Sequence, residues 1–431
     1  MLKALPVILL STSMLFGLSI EESVAIALNN NPDIKKQELG YQLGDLNLQE
    51  QDAKNYGKLT AVASYMHYNL PRTLVPLTPA SIFNDPTAVA TTDNLFTAGV
   101  TYDVALFTGF AQKRTVEIAS LQKEMASAQL KLGREQLIYN VKTLYANILS
   151  LEAQEDAQRR YIKALESLHA TIEAEVKLGK KSKLEKLKSA AALEAARNQR
   201  FQFHSNITIL RASLAAAMNV EAIDTLDPIG IEMELTTEEN VQHKDLERFK
   251  LKSIQISQSV KNIEKSDASY YPQVGFSSYY GQNFGPNDDS NKYSGDWTNQ
   301  EVWQAGVNLR WSIYDFGGRS AASQKAKIQA LSSKLEDSKT KLEFRRMLVE
   351  AKSKIESAAQ SHKSVMAQSA LTSESEKIEQ IRFDNGAADI NDLLVAKARS
   401  QLAKSQLITV SYQHRIAHFY LDYLLEQGDK K

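Results

Sequence analysis

Trp303-Gln304-Ala305-Gly306-Val307-Asn308-Leu309-Arg310-Trp311-Ser312-Ile313 is the stretch on which the fold turns. Every second residue is apolar and those between are polar or glycine, a period of two that puts the apolar set on one face of a strand. It is about ten residues long, the length a tilted strand needs to cross a bilayer. The pattern also stands earlier in the chain. There Phe96, Ala98, Val100, Tyr102, Val104 and Leu106 alternate with Thr97, Gly99, Thr101, Asp103 and Ala105, and Ala98-Gly99-Val100 aligns with Ala305-Gly306-Val307 at an offset of 207 residues. Both strands, 96–107 and 302–313, run into a glycine turn, at Gly109 or at Gly317-Gly318.

Working outward, a weaker strand precedes each of these, at 58–68 and 272–281, across polar, proline- or glycine-containing loops at 69–95 and 282–300. Downstream, breakers almost vanish. Gly133 is the only one between Gln112 and Leu178, and between Gly318 and Gly386 there is neither glycine nor proline, which predicts two very long helices. At ~1.5 Å per residue each spans roughly 100 Å. Gly179 and Gly386 close them, each followed by a second helical stretch, so helical hairpins are expected at 112–218 and 319–427. Each half reads helix, strand, loop, strand, long helix, tip, helix. The chain is an internal duplication, 20–226 and 227–431, joined near Asp227-Pro228.

Composition narrows the function. Of 431 residues 43% are hydrophobic and 24% charged, with 51 basic against 51 acidic, so no net positive field favours nucleic acid. With no cysteine there is no disulfide scaffold, thiolate nucleophile or cysteine-held metal. Met1-Leu2-Lys3 followed by an apolar run to Leu18 reads as a signal peptide, 1–19, with a cut expected after Ser19. Catalytic, cofactor and metal sites are not expected. His414 and His418 stand four apart, but Arg415 holds the place where a zinc-protease motif needs glutamate, and Asp315-Phe316-Gly317 lacks any phosphate loop.

Four amphipathic strands cannot close a membrane barrel, since small barrels use about eight and open edges are not viable in lipid. Three copies would supply twelve strands and set twelve helical rods beside one another. The fold class expected is therefore mostly α with membrane β: a trimeric 12-stranded β-barrel continued by a long α-helical barrel. Asp103, Asn308 and Arg310, on polar strand faces, are candidate lumen residues, and Phe96, Phe107, Tyr279, Tyr280, Trp303 and Tyr314 suit an aromatic girdle.

The chain resembles the outer membrane factor family of TolC-like efflux and secretion ducts. The resemblance is carried by the stretch from Leu18-Ser19-Ile20-Glu21-Glu22 to Asn31-Pro32, by Tyr271-Pro272-Gln273-Val274, by Tyr314-Asp315-Phe316-Gly317-Gly318-Arg319, and by Phe383-Asp384-Asn385-Gly386 with Asp392-Leu393-Leu394 and Ala396. It implies a homotrimer in the outer membrane that extends into the periplasm. It also implies a periplasmic adaptor and an inner-membrane transporter as partners, outer membrane lipid around the barrel, and a small equatorial region near 219–240. Asp392 matches the place of a gate aspartate in that family, and Asp389 could add to such a ring. The first tip carries Lys177, Lys180, Lys181, Lys183, Lys186 and Lys188 against Glu185, whereas 383–395 holds three aspartates and no base. Tips of opposite sign, with Gly179 and Gly386 at their turns, could latch together or form a docking rim, Lys180, Lys181 and Lys183 being the residues to neutralise. The competing reading is a periplasmic coiled-coil adaptor or structural protein without a pore; strands of membrane length count against it.

Overall fold

The computed structural model describes residues 17–84, 89–231, 246–286 and 297–428. In chain order the helices and strands are α1 (Ile20–Asn30), α2 (Pro32–Ala53), β1 (Lys58–Thr73), α3 (Pro79–Asn84), β2 (Thr91–Phe107), α4 (Ala111–Lys177), α5 (Lys183–Met218), α6 (Glu247–Asp267), β3 (Gln273–Pro286), β4 (Trp297–Arg310), α7 (Gly318–Asp384) and α8 (Ile390–Leu424). The repeat is visible in the bounds. α4 and α7 are both 67 residues long, and the ends of α7 are those of α4 moved by 207.

Two compact units result. One comprises the described residues within 1–39, 128–250 and 338–431. Its first core packs Ile20, Val24 and Ala27 of α1 on Ile138, Val141, Tyr145 and Ile148 of α4 and on Leu214 and Met218 of α5. Ser19 starts α1 as an N-cap. Its hydroxyl accepts from the Glu22 amide while its own amide donates to the Glu22 carboxylate, a closed capping box. Leu18 pairs with Leu226 in a parallel bridge, and the Tyr145 hydroxyl lies 2.7 Å from both the Leu18 and Asp227 carbonyls, its one hydrogen shared between them. Burial and the nearby Asp227 raise the Tyr145 pKa, keeping it the neutral donor this bridge needs. Ser19, expected as the last residue of a leader, is the N-cap of α1 in this structure; residues 1–16 lie outside the described residues.

A second core joins the start of α6 to the end of α8: Phe249 stacks edge-on against Phe344 of α7, beside Ala417, Leu421 and Leu424. Glu426, just past α8, accepts from the amides of Glu247 and Arg248 and from the Arg248 guanidinium at 3.0 Å. It caps α6 with a carboxylate where α6 presents orphan amides. The last part of the expected equatorial stretch, 232–240, is outside the described residues.

The other unit comprises the described residues within 40–127 and 251–337. Its sheet runs β1-β2-β3-β4, every neighbour antiparallel. The strands reach further into the loops than their alternation predicts: β1 to Thr73, β2 from Thr91, β3 to Pro286 and β4 from Trp297. Pro71, which cannot donate to a ladder, falls where the β1–β2 register slips between His67 and Arg72. At its other end β4 stops at Arg310, short of the expected 313. There the Ser312 and Ile313 carbonyls accept from the Arg319 guanidinium, and the Trp311 indole donates to the Tyr270 carbonyl.

The turns into α4 and α7 share one backbone path with different residues on it. Gly109 (φ 62°) and Phe110 (φ 71°) precede α4; Phe316 (φ 55°) and Gly317 (φ 94°) precede α7. Two successive left-handed positions are required, which glycine meets without a Cβ clash and phenylalanine only at a cost.

Candidate functional site

The register sorts the sheet into two unlike faces. On one, cross-strand rows read Trp303-Tyr280-Val100-Ala61, Ala305-Ser278-Tyr102-Leu59, Val307-Phe276-Val104 and Leu309-Val274-Phe107. Trp303, Val307 and Leu309 are all at least 66% exposed, a large apolar surface left bare by the single chain. Past the end of β4, Ile313, Tyr314 and Phe316 are exposed as well, and Glu301 with Gln282 makes the first polar row of this face toward the other end. Beyond that row Tyr65, Phe96, Phe284 and Trp297 form an aromatic cluster with centroids 4.6–6.0 Å apart.

The opposite face carries Gly306-Ser277-Asp103-Lys58, Gln304-Tyr279-Thr101-Thr60 and Gln300-Asn283-Thr97-Ser64, with Asn308 and Arg310 further along β4. Asp103, Asn308 and Arg310 therefore share one polar face, and Lys58 stands directly opposite Asp103. The strand glycines Gly99, Gly275, Gly281, Gly285 and Gly306 all lie on this face and none on the other. Tyr279 also lies here, away from the aromatic residues with which it was grouped as a girdle candidate. The order Tyr279-Tyr280 could have shown this, because neighbours in a strand point to opposite faces.

At the other functional candidate, the hairpin tips, both turns close the same way. Lys180 N–H donates to the Glu175 carbonyl and Gly179 N–H to Val176; Ala387 N–H donates to Arg382 and Gly386 N–H to Phe383. Gly179 and Gly386 take φ of 72° and 73°, the left-handed cap that ends a helix. The return helices then differ. Ser182 caps α5 in a capping box with Glu185, whereas Asp389, 207 residues later, caps α8 without a side-chain bond to it. Instead the Asp389 carboxylate lies 3.6 Å from the Lys188 ammonium. Asp389 is thus outside the helix on which Asp392 stands, rather than stacked one turn before it. Asp392, at the place of Glu185, is exposed in the first turn of α8.

The tips are joined chiefly by apolar contact. Ile162, Leu165, Leu168 and Ile172 of α4 and Leu193 of α5 share a core with Phe383, Ile390 and Leu393. Lys181 pairs with Glu185 at 3.3 Å and sits 4.2 Å above the Phe383 ring; Lys180 and Lys183 are exposed. Nearer the middle of the hairpins a glutamine ladder, undetected in the sequence, crosses between helices. Gln158 donates to the Ala196 carbonyl of α5, Gln401 of α8 donates to Gln158, and Ser405 donates to Gln154. Buried glutamines in a helical run carry no periodic signature that would single them out.

No helix among the described residues is long and apolar enough to cross a membrane, and no group of three His, Cys, Asp or Glu residues among them could hold a metal ion. A duplicated chain of long helical hairpins, with a sheet having one lipid-like and one polar face, defines a membrane-channel class of protein. The chain belongs to the outer membrane efflux protein family, whose model matches residues 24–220 and 249–425. It is an outer membrane efflux channel that extends into the periplasm, and not an enzyme. Among solved structures it is similar to a Pseudomonas aeruginosa membrane protein, at 17% identity and TM-score 0.80, covering 94% of this chain and 93% of that one. It is also similar to the Campylobacter jejuni CmeC outer membrane channel (14%, TM-score 0.78, 95% and 86% covered). A third is the open state of the Neisseria gonorrhoeae MtrE outer membrane channel (15%, TM-score 0.75, 95% and 89%). No curated protein matches the chain.

Proposed function

We propose that three copies close their sheets into one twelve-stranded barrel and act as a passive exit duct for an efflux pump or a type I secretion system. The observation that carries this is the pair of unlike faces on a sheet whose outer strands, β1 and β4, each have one edge unpaired within the chain. An open edge in lipid leaves backbone groups unsatisfied at several kcal/mol each, so β4 of one copy must pair with β1 of the next. The apolar face then meets lipid. The 14 residues of β4, Trp297–Arg310, span ~43 Å, or roughly 30 Å along the membrane normal at a tilt near 45°, enough to cross the apolar band of outer-membrane barrels, about 25 Å tall. The polar face lines the lumen, and the confinement of strand glycines to it fits the crowded, concave side of a closed sheet.

The chain holds no nucleotide-binding loop, so energy comes from partners: an inner-membrane transporter, reached through a periplasmic adaptor that meets the tips. Lys180 and Lys183, exposed beside Leu178 and Leu184, form a basic and apolar rim suited to docking. Three copies of Asp392 round the threefold axis form an acidic ring that admits cations and resists anions. The test is light scattering, corrected for detergent, on protein extracted from separated outer membranes, followed by conductance in planar bilayers. A threefold mass and a cation preference lost in Asp392→Asn are the expected results. A monomer, or protein released without detergent, refutes the duct and favours the adaptor reading.

A further inference from the structure

We propose that Tyr279 sets the bore of the lumen at its own level, and that Gly99 and Gly281 form the recess holding its ring against the wall. This rests on the reading of the sheet as a barrel wall with its polar face inward. Tyr279 stands on that face between Gln304 and Thr101. A strand side chain ordinarily rises from the sheet, and a tyrosine doing so here would project into the duct. The ring instead leans over the neighbouring row. A Cβ built on Gly281 would lie 2.4 Å from the Tyr279 Oη and 2.7 Å from Cζ, and one on Gly99 would lie 2.8 Å from Cε2. At such distances the ring already fills the space a side chain at either position would claim.

Gly99 and Gly281 are cross-strand partners, so together they bare a patch of backbone two strands wide, flanked by Val62 and Val302. An aromatic ring laid across glycine restores packing that glycine forfeits in a sheet, which gives the ring a reason to stay down. In a trimer, three such rings sit at one height. Laid flat they leave the lumen wide; lifted by a side chain beneath them they narrow it. Residues 99, 279 and 281 thereby select cargo by size.

The absence of native cysteine makes a single introduced thiol a unique probe. Asn308 lies on the same face four residues beyond Gln304 toward α7, so a reagent entering from the loop end of the barrel passes Tyr279 to reach it. Asn308→Cys is introduced, and thiol-reactive reagents of increasing size are added outside intact cells. Tyr279→Ala should raise the labelling rate of the bulkiest reagents several-fold while leaving the smallest unchanged. Gly281→Ala should slow the bulky reagents, and Tyr279→Ala with Gly281→Ala should reverse that slowing. Because a methyl at 281 also meets the Ala98 carbonyl at 2.5 Å, assembly of each variant is checked as a detergent-resistant oligomer. Tyr279→Ala adds no atom to the ladder and carries the test alone if Gly281→Ala does not assemble. Unchanged bulky-reagent rates in Tyr279→Ala, with the small reagent still reacting, would overturn the assignment while leaving the barrel reading intact. An assembled Asn308→Cys protein that no reagent reaches would instead sink the barrel reading itself.

Discussion

Replacing Phe383 by alanine asks what holds the periplasmic tips together. Phe383 is 6% exposed within the core formed by Ile172, Leu193, Ile390 and Leu393. Truncating such a phenylalanine costs about 3–5 kcal/mol, through lost burial and the cavity left behind. The ionic contributions are smaller. Lys188 and Asp389 are 36% and 58% exposed, and exposed pairs contribute ~0–1 kcal/mol. The Lys181 ammonium over the Phe383 ring adds ~0.5–1 kcal/mol. Phe383→Ala should therefore shift the local opening equilibrium by about two orders of magnitude or more, and Asp389→Asn by at most about fivefold. The assay is amide hydrogen exchange at residues 383–393 in the detergent-solubilised channel, with bilayer conductance as the functional readout. Fast exchange and raised conductance are expected in Phe383→Ala, with little change in Asp389→Asn or in Lys180, Lys181 and Lys183 changed together to glutamine. If either charge variant loosened the tip as much as Phe383→Ala, the apolar account would be wrong and an ionic latch would stand.

Glu426→Gln should destabilise the base of α6 by about 3–5 kcal/mol, because Arg248 and Glu426 are 13% and 9% exposed and a buried guanidinium would be left without its counter-charge; exchange at the Glu247 and Arg248 amides reads this, and Glu426→Gln with Arg248→Met should recover much of the loss. Intact-mass measurement of the exported chain should find Leu18 and Ser19 retained, since a cut after Ser19 would remove both the cap of α1 and the bridge to Leu226; a chain beginning at Ile20 would show these contacts to be dispensable. Hydrogen bonds from Arg114 and then Lys261 hold the Glu117 carboxyl below the usual glutamate range. A lowered folded pKa stabilises above the ordinary glutamate value and is lost as pH falls through the folded one, so Glu117→Gln should lower thermal stability at neutral pH, flatten the acid limb, and match the parent protein once the pH is below the folded pKa.

The duplicated plan was legible because its signals are local and repeated: alternation at Phe96–Leu106 and Trp303–Ile313, breaker-free runs, and one glycine at each tip. What the sequence withheld depends on partners distant in the chain. β4 ends at Arg310 because Arg319 and Tyr270 claim the next residues, and neither interaction has a periodicity. Asp389, three residues before Asp392, was expected as a possible addition to its ring, but it is the N-cap of α8, outside the helix, and its carboxylate faces Lys188. Tyr279 was grouped by residue type with the girdle, although its position in the alternation already assigned it to the polar face. Asp103, Asn308 and Arg310 do share a face, as their phase in the two strands requires.

The turns entering α4 and α7 bear on how the two halves diverged. Gly109-Phe110 and Phe316-Gly317 occupy corresponding places with the residue order reversed, yet all four have positive φ. A residue-by-residue comparison of the halves scores two mismatches there, where the backbones agree. At this junction the path of the backbone is what the two halves have in common, and either order of glycine and phenylalanine can draw it.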